Sequence, residues 1–127
     1  MSIDITKQIS YWRDGSLEDI EVAGELLEKR RYRHGLFFAH LALEKALKAH
    51  VARYTRMIPP KIHNLARLSE QTALAISPLQ KEFLREFDQY QIEGRYPGSA
   101  QTSLDIPAAL KDFEKAIATQ LWLINQL

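Results

Sequence analysis

Apolar side chains recur at three- and four-residue steps along most of the chain, which is the spacing of amphipathic helices. The first such stripe predicts a long helix over about residues 4–30. Only Ser16 interrupts the stripe, and Gly15 beside it is a weak helix former. Two interpretations stay open: one continuous helix, or a kink at residues 14–16 after which Ser16 caps a new helix.

The second predicted helix, about residues 34–55, is apolar on nearly every side where it starts, at Leu36-Phe37-Phe38-Ala39. A helix of that kind is usually the central one of its domain, because several neighbours pack against it. In this interpretation Gly35 lies between the first two helices. Pro59-Pro60 cannot continue the second helix, so the chain is expected to be extended there.

Three more helices complete the predicted fold. A short one covers about residues 64–75, a fourth runs from the Ser77-Pro78 start signal to about residue 95, and the last follows the capping residue Asp105. The stripes expected to face the core are Leu79, Phe83, Phe87 and Tyr90 in the fourth helix, and Ile106, Leu110, Phe113, Ile117, Leu121 and Ile124 in the last. The sequence thus predicts an all-α fold in which residues 1–127 form one domain, a single up-and-down bundle of four main helices plus one short helix.

Composition narrows the class of protein. Of the 127 residues, 46% are apolar and 26% are charged, which argues against disorder, and the absence of Cys excludes disulfides and thiol nucleophiles. No apolar run reaches the length of about 18 residues that a membrane span needs, and the first residues do not read as a signal peptide. We therefore expect a cytoplasmic protein without membrane contact.

The charge is unevenly distributed although its sum is only +1. Residues 28–61 contain nine basic and two acidic side chains, and residues 29–34 read Lys-Arg-Arg-Tyr-Arg-His. Such a basic block can bind an anion, a nucleic acid or an acidic protein surface. The alternative is a solvated turn between two helices, whose charges only keep the protein soluble.

Candidate chemistry is sparse. The four histidines form no i, i+4 pair and the five glycines are isolated, so we expect neither a metal nor a cofactor. Glu44 and Lys48 are spaced i, i+4 on the helix expected to be mostly buried, where a charged pair is costly. We expect both to be partly buried and bonded to each other or to another helix. Lys45 adds a second positive charge, and His40 extends the polar line.

The ends of the last two helices each leave alternatives open. Arg95 could satisfy the last carbonyls of the fourth helix, or it could bind a phosphate while Tyr96 stacks on a base. Residues 121–124 are four consecutive apolar residues at the end of the last helix. Either this terminus is buried within the bundle, or one of its faces meets another subunit.

Four stretches of the chain, taken in order, are similar to the motifs of one known family. They are Tyr11-Trp12 with Asp19, Ala23 and Leu26-Leu27; the run from His34 to Ala49 with its Glu44-Lys45-x-x-Lys48-Ala49 ending; Pro59-Pro60-Lys61-Ile62-His63-Asn64-Leu65; and Glu93-Gly94-Arg95-Tyr96-Pro97. The family is that of HEPN domains, and the resemblance covers about residues 8–125.

The resemblance implies a small helical bundle that forms a homodimer and is encoded beside a minimal nucleotidyltransferase in a toxin–antitoxin pair. Catalytic members of the family are metal-independent ribonucleases with an Arg-x(4–6)-His motif near the end of the fourth helix. Arg95 stands at about that place, but no His follows it in residues 96–127. Two other pairs, Arg33 with His40 and Arg56 with His63, fit the spacing but lie in the wrong part of the fold.

We therefore expect a non-catalytic HEPN module rather than an enzyme. Its partners would be a second copy, a minimal nucleotidyltransferase, and a nucleotide or an RNA phosphate. The candidate phosphate-binding residues are Lys45, Lys48, His63, Arg95 and Tyr96. The alternative is a metal-independent HEPN ribonuclease toxin with an atypical active site, in which Arg95 stabilises the phosphate and His63 or His40 acts as acid or base. A third interpretation is a helical dimer whose polar residues are structural.

Overall fold

A computed structural model describes residues 3–91 and 104–127, and within these ranges the regular structure is entirely helical. The helices are α1 (Ile5–Glu28), α2 (Tyr32–Thr55), α3 (Leu65–Ser69), α4 (Pro78–Phe87) with the 3-10 turn Asp88–Tyr90 directly after it, and α5 (Ile106–Asn125). The prediction of an all-α bundle of four main helices and one short helix is confirmed.

The first helix is continuous through Gly15, so of the two interpretations the single long helix is correct. The Asp4 carboxylate caps it by accepting a hydrogen bond from the Lys7 amide. Ser16 is fully buried because three helices meet there. Its hydroxyl donates to the Ala42 carbonyl of α2 at 2.7 Å and accepts from the Gln120 amide of α5 at 3.1 Å. The polar interruption of the apolar stripe is thus a hydrogen-bonded junction.

The second helix begins at Tyr32, so the prediction that Gly35 lies between the first two helices is wrong. The chain reverses one turn earlier, where Arg30 adopts a left-handed φ of 61°. Gly35 instead lies in the first turn of α2, where it faces α1. The interpretation of α2 as the central helix is confirmed, since it packs against α1, α3, α5 and the 3-10 turn.

The third and fourth helices are shorter than the sequence pattern suggests. The α3 helix ends at Ser69, where the Thr72 hydroxyl bonds to the Ser69 carbonyl at 2.8 Å. In α4 the predicted Ser77 cap is present as a full capping box, and Phe87 is buried in the core. Leu79 is 84% exposed, so the prediction that it faces the core is wrong.

The fifth helix buries a face that differs from the predicted one, although Phe113 and Ile124 of the predicted stripe pack against the core. Its buried residues are Ala109, Ala116, Gln120 and Leu123. Four residues of the predicted stripe, Ile106, Leu110, Ile117 and Leu121, are between 41% and 54% exposed. The predicted stripe lies about 90° around the helix from the buried one. The small side chains of the two alanines let the α5 backbone approach α2, and this contact leaves the bulkier branched residues beside it.

The fifth helix runs parallel to α2. Leu123 and Gln126 contact His50 and Arg53 near the end of α2, whereas Ile106 lies beside the first residues of α2. The bundle therefore has two ends of different character, one at the α1–α2 turn and the other where α2 and α5 finish. Among the described residues, no helix combines the length and the apolar content that crossing a membrane requires.

Candidate functional site

The Glu44 carboxylate lies at the centre of a buried polar cluster on α2. Its Oε2 is 3.0 Å from the Lys48 ammonium, one helical turn further on. Its Oε1 accepts a hydrogen bond of 3.0 Å from Nδ1 of His63, which precedes α3. The same oxygen lies 3.9 Å from Nδ1 of His40, one turn earlier. The i, i+4 spacing of the three α2 residues therefore stacks an imidazole, a carboxylate and an ammonium along one face.

His40 connects this cluster to the turn after α4. Its Nε2 lies 2.8 Å from Asp88 Oδ1, and that oxygen also accepts from the Leu65 amide at the start of α3, at 3.3 Å. Since a carboxylate oxygen accepts, Nε2 of His40 carries the proton. His40 is fully buried, and its Nδ1 makes no hydrogen bond with any described residue. We call His40, Glu44, Lys48, His63 and Asp88 the Glu44 cluster; it joins α2 to the segment before α3 and to the 3-10 turn after α4.

The two candidate phosphate-binding lysines are each paired with a carboxylate. Lys48 is buried against Glu44, and its ammonium also lies 5.2 Å from the centre of the Trp12 ring on α1. The Lys45 ammonium lies 2.7 Å from Asp19 Oδ2, likewise across the α1–α2 contact. The Lys45–Asp19 ion pair and the contact of Lys48 with Trp12 join α1 to α2, whereas the Lys48–Glu44 pair lies within α2. A phosphate that bound either ammonium would compete with the carboxylate already there.

The other candidate phosphate-binding residues differ in accessibility. The His63 side chain is 48% exposed, so it is the member of the Glu44 cluster that solvent reaches most readily. Arg95 and Tyr96 lie outside the described residues. The structure thus brings His63 and Lys48 together on one carboxylate, with Lys45 on a separate ion pair.

The basic block of the sequence is divided between two places. Residues 30–34, with Ile106, line a cavity of about 500 Å³ at the α1–α2 turn. Arg31 occupies the cap position of α2, and no side chain there accepts a hydrogen bond from the first amides. Lys48 lies on the same helix about 25 Å away, at a rise of about 1.5 Å per residue. The basic turn is therefore separate from the Glu44 cluster, in which two carboxylates lie near one ammonium.

Sequence reasoning missed the long-range partners of the polar residues it identified. Asp88 joins His40 across 48 positions, and Gln120 joins Ser16 across 104. Ser16 gave a signal, because a polar residue within an apolar stripe needs a partner when it is buried. Asp88 gave a weaker one, as an acidic residue directly after the core residue Phe87. Nothing in the sequence indicates which residue either one would contact.

A second buried polar contact lies next to the cluster. Tyr90, in the 3-10 turn, donates to Asp112 Oδ2 of α5 at 2.6 Å. Burial raises the pKa of Tyr90 well above its ordinary value, and the hydrogen bond to Asp112 and the negative charge of that carboxylate add to the shift. The phenol therefore stays protonated at neutral pH. Within the described ranges, no three His, Asp or Glu side chains are arranged to hold a metal ion.

One of three comparisons with known proteins gives a match. The family model of the HEPN domain matches residues 9–121. The matched span contains all of α2, α3 and α4, and it leaves out only the first four residues of α1 and the last four of α5. In the comparisons with curated proteins and with solved structures, nothing matches at a significant level.

Proposed function

The chain belongs to the HEPN domain family, and from this premise we propose that it acts as a non-catalytic HEPN module. In this proposal it is a homodimer that pairs with a minimal nucleotidyltransferase in a toxin–antitoxin-type system, and it binds a nucleotide or an RNA phosphate. The observation that carries the proposal is the exposed apolar face of α5, which a module that works by association needs and an isolated monomer does not.

That face, which we call the α5 face, consists of Ile106, Leu110, Ile117 and Leu121. Monomeric proteins rarely expose contiguous apolar patches of large size, and such patches are commonly interfaces. The apolar run at the end of α5 has two faces. Leu123 is buried within the bundle, whereas Leu121 is 54% exposed and could meet another subunit. A second copy that covers the α5 face would remove these side chains from water.

Sequence and geometry both support the non-catalytic assignment. Metal-independent RNA cleavage needs a group that takes a proton from the 2′-hydroxyl and one that protonates the leaving oxygen, and histidine does this best near neutral pH. No His follows Arg95 in the sequence. His40 is buried against Asp88, away from solvent.

The candidate phosphate contacts are Lys45, Lys48, His63, Arg95 and Tyr96. His63 supports this assignment because its imidazole is half-exposed. Lys45 is 28% exposed and would exchange Asp19 for the phosphate. The basic residues 30–34 at the α1–α2 turn would draw an RNA strand toward the domain by long-range attraction.

One observation favours the alternative, a metal-independent ribonuclease toxin. His63 donates its Nδ1 proton to the buried Glu44 carboxylate at 3.0 Å, and this bond fixes the orientation of the ring. A half-exposed histidine oriented by a carboxylate resembles the base of a catalytic dyad. In this alternative His63 would act with Arg95.

An RNA cleavage assay in the presence of a chelator separates the two functions. We expect no cleavage by the wild-type protein above that of His63→Ala or Arg95→Ala. Cleavage that either substitution abolishes would establish the ribonuclease instead. Calorimetry with mononucleotides tests the binding part, for which we expect heat that Arg95→Ala removes. Pairing is tested by whether a minimal nucleotidyltransferase is encoded beside this chain and copurifies with it. The absence of such a gene, or failure to copurify, would contradict that part.

A further inference from the structure

A second cavity, of about 450 Å³, lies at the opposite end of the bundle from the α1–α2 turn. It is enclosed by the last turns of α2 and α5 and by the loop after α3. Its volume falls within the range of small-molecule sites, about 300–1,000 Å³. We call it the C-terminal cavity. Among the described residues, no candidate residue of the proposed function lines it.

Arg53 gives the C-terminal cavity a positive charge. Its Nη1 donates to the Gln126 carbonyl at 3.0 Å, which holds the guanidinium beside the end of α5. A guanidinium has five N–H groups, so this bond leaves donors for a ligand. No Asp or Glu is among the described residues that line the cavity. A planar anion such as a carboxylate fits that fork in two-point geometry.

His50 contributes a hydrogen-bond acceptor to the cavity lining. It is 5% exposed, and its Nε2 lies 2.7 Å from the Leu123 carbonyl. Because a carbonyl only accepts, Nε2 carries the proton. Burial, with a smaller effect from the nearby Arg53 charge, holds the pKa of His50 below its ordinary value, so the ring is neutral at pH 7. Its Nδ1 is then the lone-pair acceptor of the ring.

The remaining lining is aromatic and apolar. Trp122 of α5 is half-buried and Tyr54 of α2 is exposed, while Leu74 and its two alanine neighbours complete the loop side. An aromatic ring in the cavity would stack against an indole or a phenol face. A cation, an acceptor and an aromatic surface therefore meet in one concave site.

We propose that the C-terminal cavity binds a small planar aromatic carboxylate with a ring N–H, a ligand of the indole-carboxylate class. The carboxylate pairs with Arg53, the ring packs on Trp122, and the ring N–H donates to His50. Among the described residues, this site shares none with the α5 face or with the candidate phosphate contacts. Its test therefore can fail while the proposed function stands, and the reverse also holds.

The two tryptophans make the test internally controlled. In ¹H–¹⁵N spectra of the full chain titrated with indole-3-acetate, we expect a saturable shift of the Trp122 indole resonance. The Trp12 indole donates to Gln8 on α1, so its resonance should stay in place. Cyclohexylacetate lacks the ring and 1-methylindole-3-acetate lacks the N–H donor, so both should bind more weakly. Indole lacks the carboxylate and should also bind more weakly.

A variant pair tests the charge. Arg53→Gln should weaken indole-3-acetate binding about tenfold, because a charge-assisted hydrogen bond is lost, and it should leave indole binding unchanged. Arg67→Gln, at an exposed position of α3, is the matched control and should change neither. The proposal is overturned if Trp122 shows no saturable shift up to about 5 mM ligand. Unchanged affinity in Arg53→Gln would overturn it as well. Tighter binding of AMP than of indole-3-acetate would assign the cavity to nucleotides and contradict the proposal.

Discussion

Among the glycines of the described helices, Gly35 should be the one that alanine cannot replace without loss of stability. A Cβ built on Gly35 would lie 2.9 Å from Leu27 Cγ and 3.2 Å from the Ala23 carbonyl oxygen. The first is a branch point and the second is backbone, so neither moves without shifting α1. Overpacking of this kind lowers the free energy of unfolding by about 1–3 kcal/mol. The higher helix propensity of alanine raises it by at most about 1 kcal/mol.

Two other glycines provide matched controls for the same substitution. A Cβ on Gly24 meets nothing within 4 Å, so Gly24→Ala should raise the free energy of unfolding by about 0.5–1 kcal/mol. A Cβ on Gly15 would lie 2.9 Å from Lys45 Cδ, which is part of a flexible side chain and can move. Gly15→Ala should therefore fall between the other two variants.

Urea denaturation of the three variants measures this order, from the midpoints at equal slope. We expect Gly24→Ala to be the most stable, Gly15→Ala to be intermediate, and Gly35→Ala to be less stable than wild type by about 1–2 kcal/mol. If Gly35→Ala proves as stable as Gly24→Ala, the close approach of α1 to α2 described above is wrong.

Three further predictions concern buried polar groups. Glu44→Leu should lower the free energy of unfolding by about 3–5 kcal/mol, because it leaves the Lys48 ammonium buried without a carboxylate. Adding Lys48→Met should restore more than half of that loss. If chemical denaturation shows that the losses of the two substitutions add, the pairing of Glu44 with Lys48 is refuted. Because the pKa of His50 is lowered by burial, the unfolded chain takes up its proton first, so stability should fall as the pH drops below about 6.5, and His50→Gln should flatten that fall. Tyr90→Phe should lower the free energy of unfolding by about 1–3 kcal/mol, because the hydrogen bond to Asp112 is lost. It should also remove from an ultraviolet titration the phenol that ionises at the highest pH. An unchanged titration would contradict the raised pKa of Tyr90.

The sequence was sufficient for the features that local chemistry decides. The Ser77 cap and the extent of the first stripe follow from short-range rules for helix starts and periodicity, and the structure has both. The apolar start of the second helix correctly indicated its central position. These predictions succeed because each depends on residues within a turn or two of one another.

The features that depend on helix–helix geometry could not be predicted in the same way. The face of α5 was misassigned because pattern rules weight bulky residues, whereas Ala109 and Ala116 determine which face approaches α2 most closely. The partner of His40 lies 48 positions away, and no periodicity relates it to Asp88. The buried pair Glu44 and Lys48 was anticipated as a pair, but the contribution of His63 required the path of the chain after α2.

Sedimentation velocity at micromolar concentration tests most directly the claim that this HEPN module works by association through the α5 face. We expect wild type to sediment at twice the mass of one chain and Ile117→Lys to sediment at the mass of one chain, with an unchanged helical circular dichroism spectrum. Leu79→Lys is the matched control, since Leu79 is 84% exposed and belongs to α4 rather than α5, and this variant should remain a dimer. A wild-type monomer, or a dimer that survives Ile117→Lys, would contradict the account.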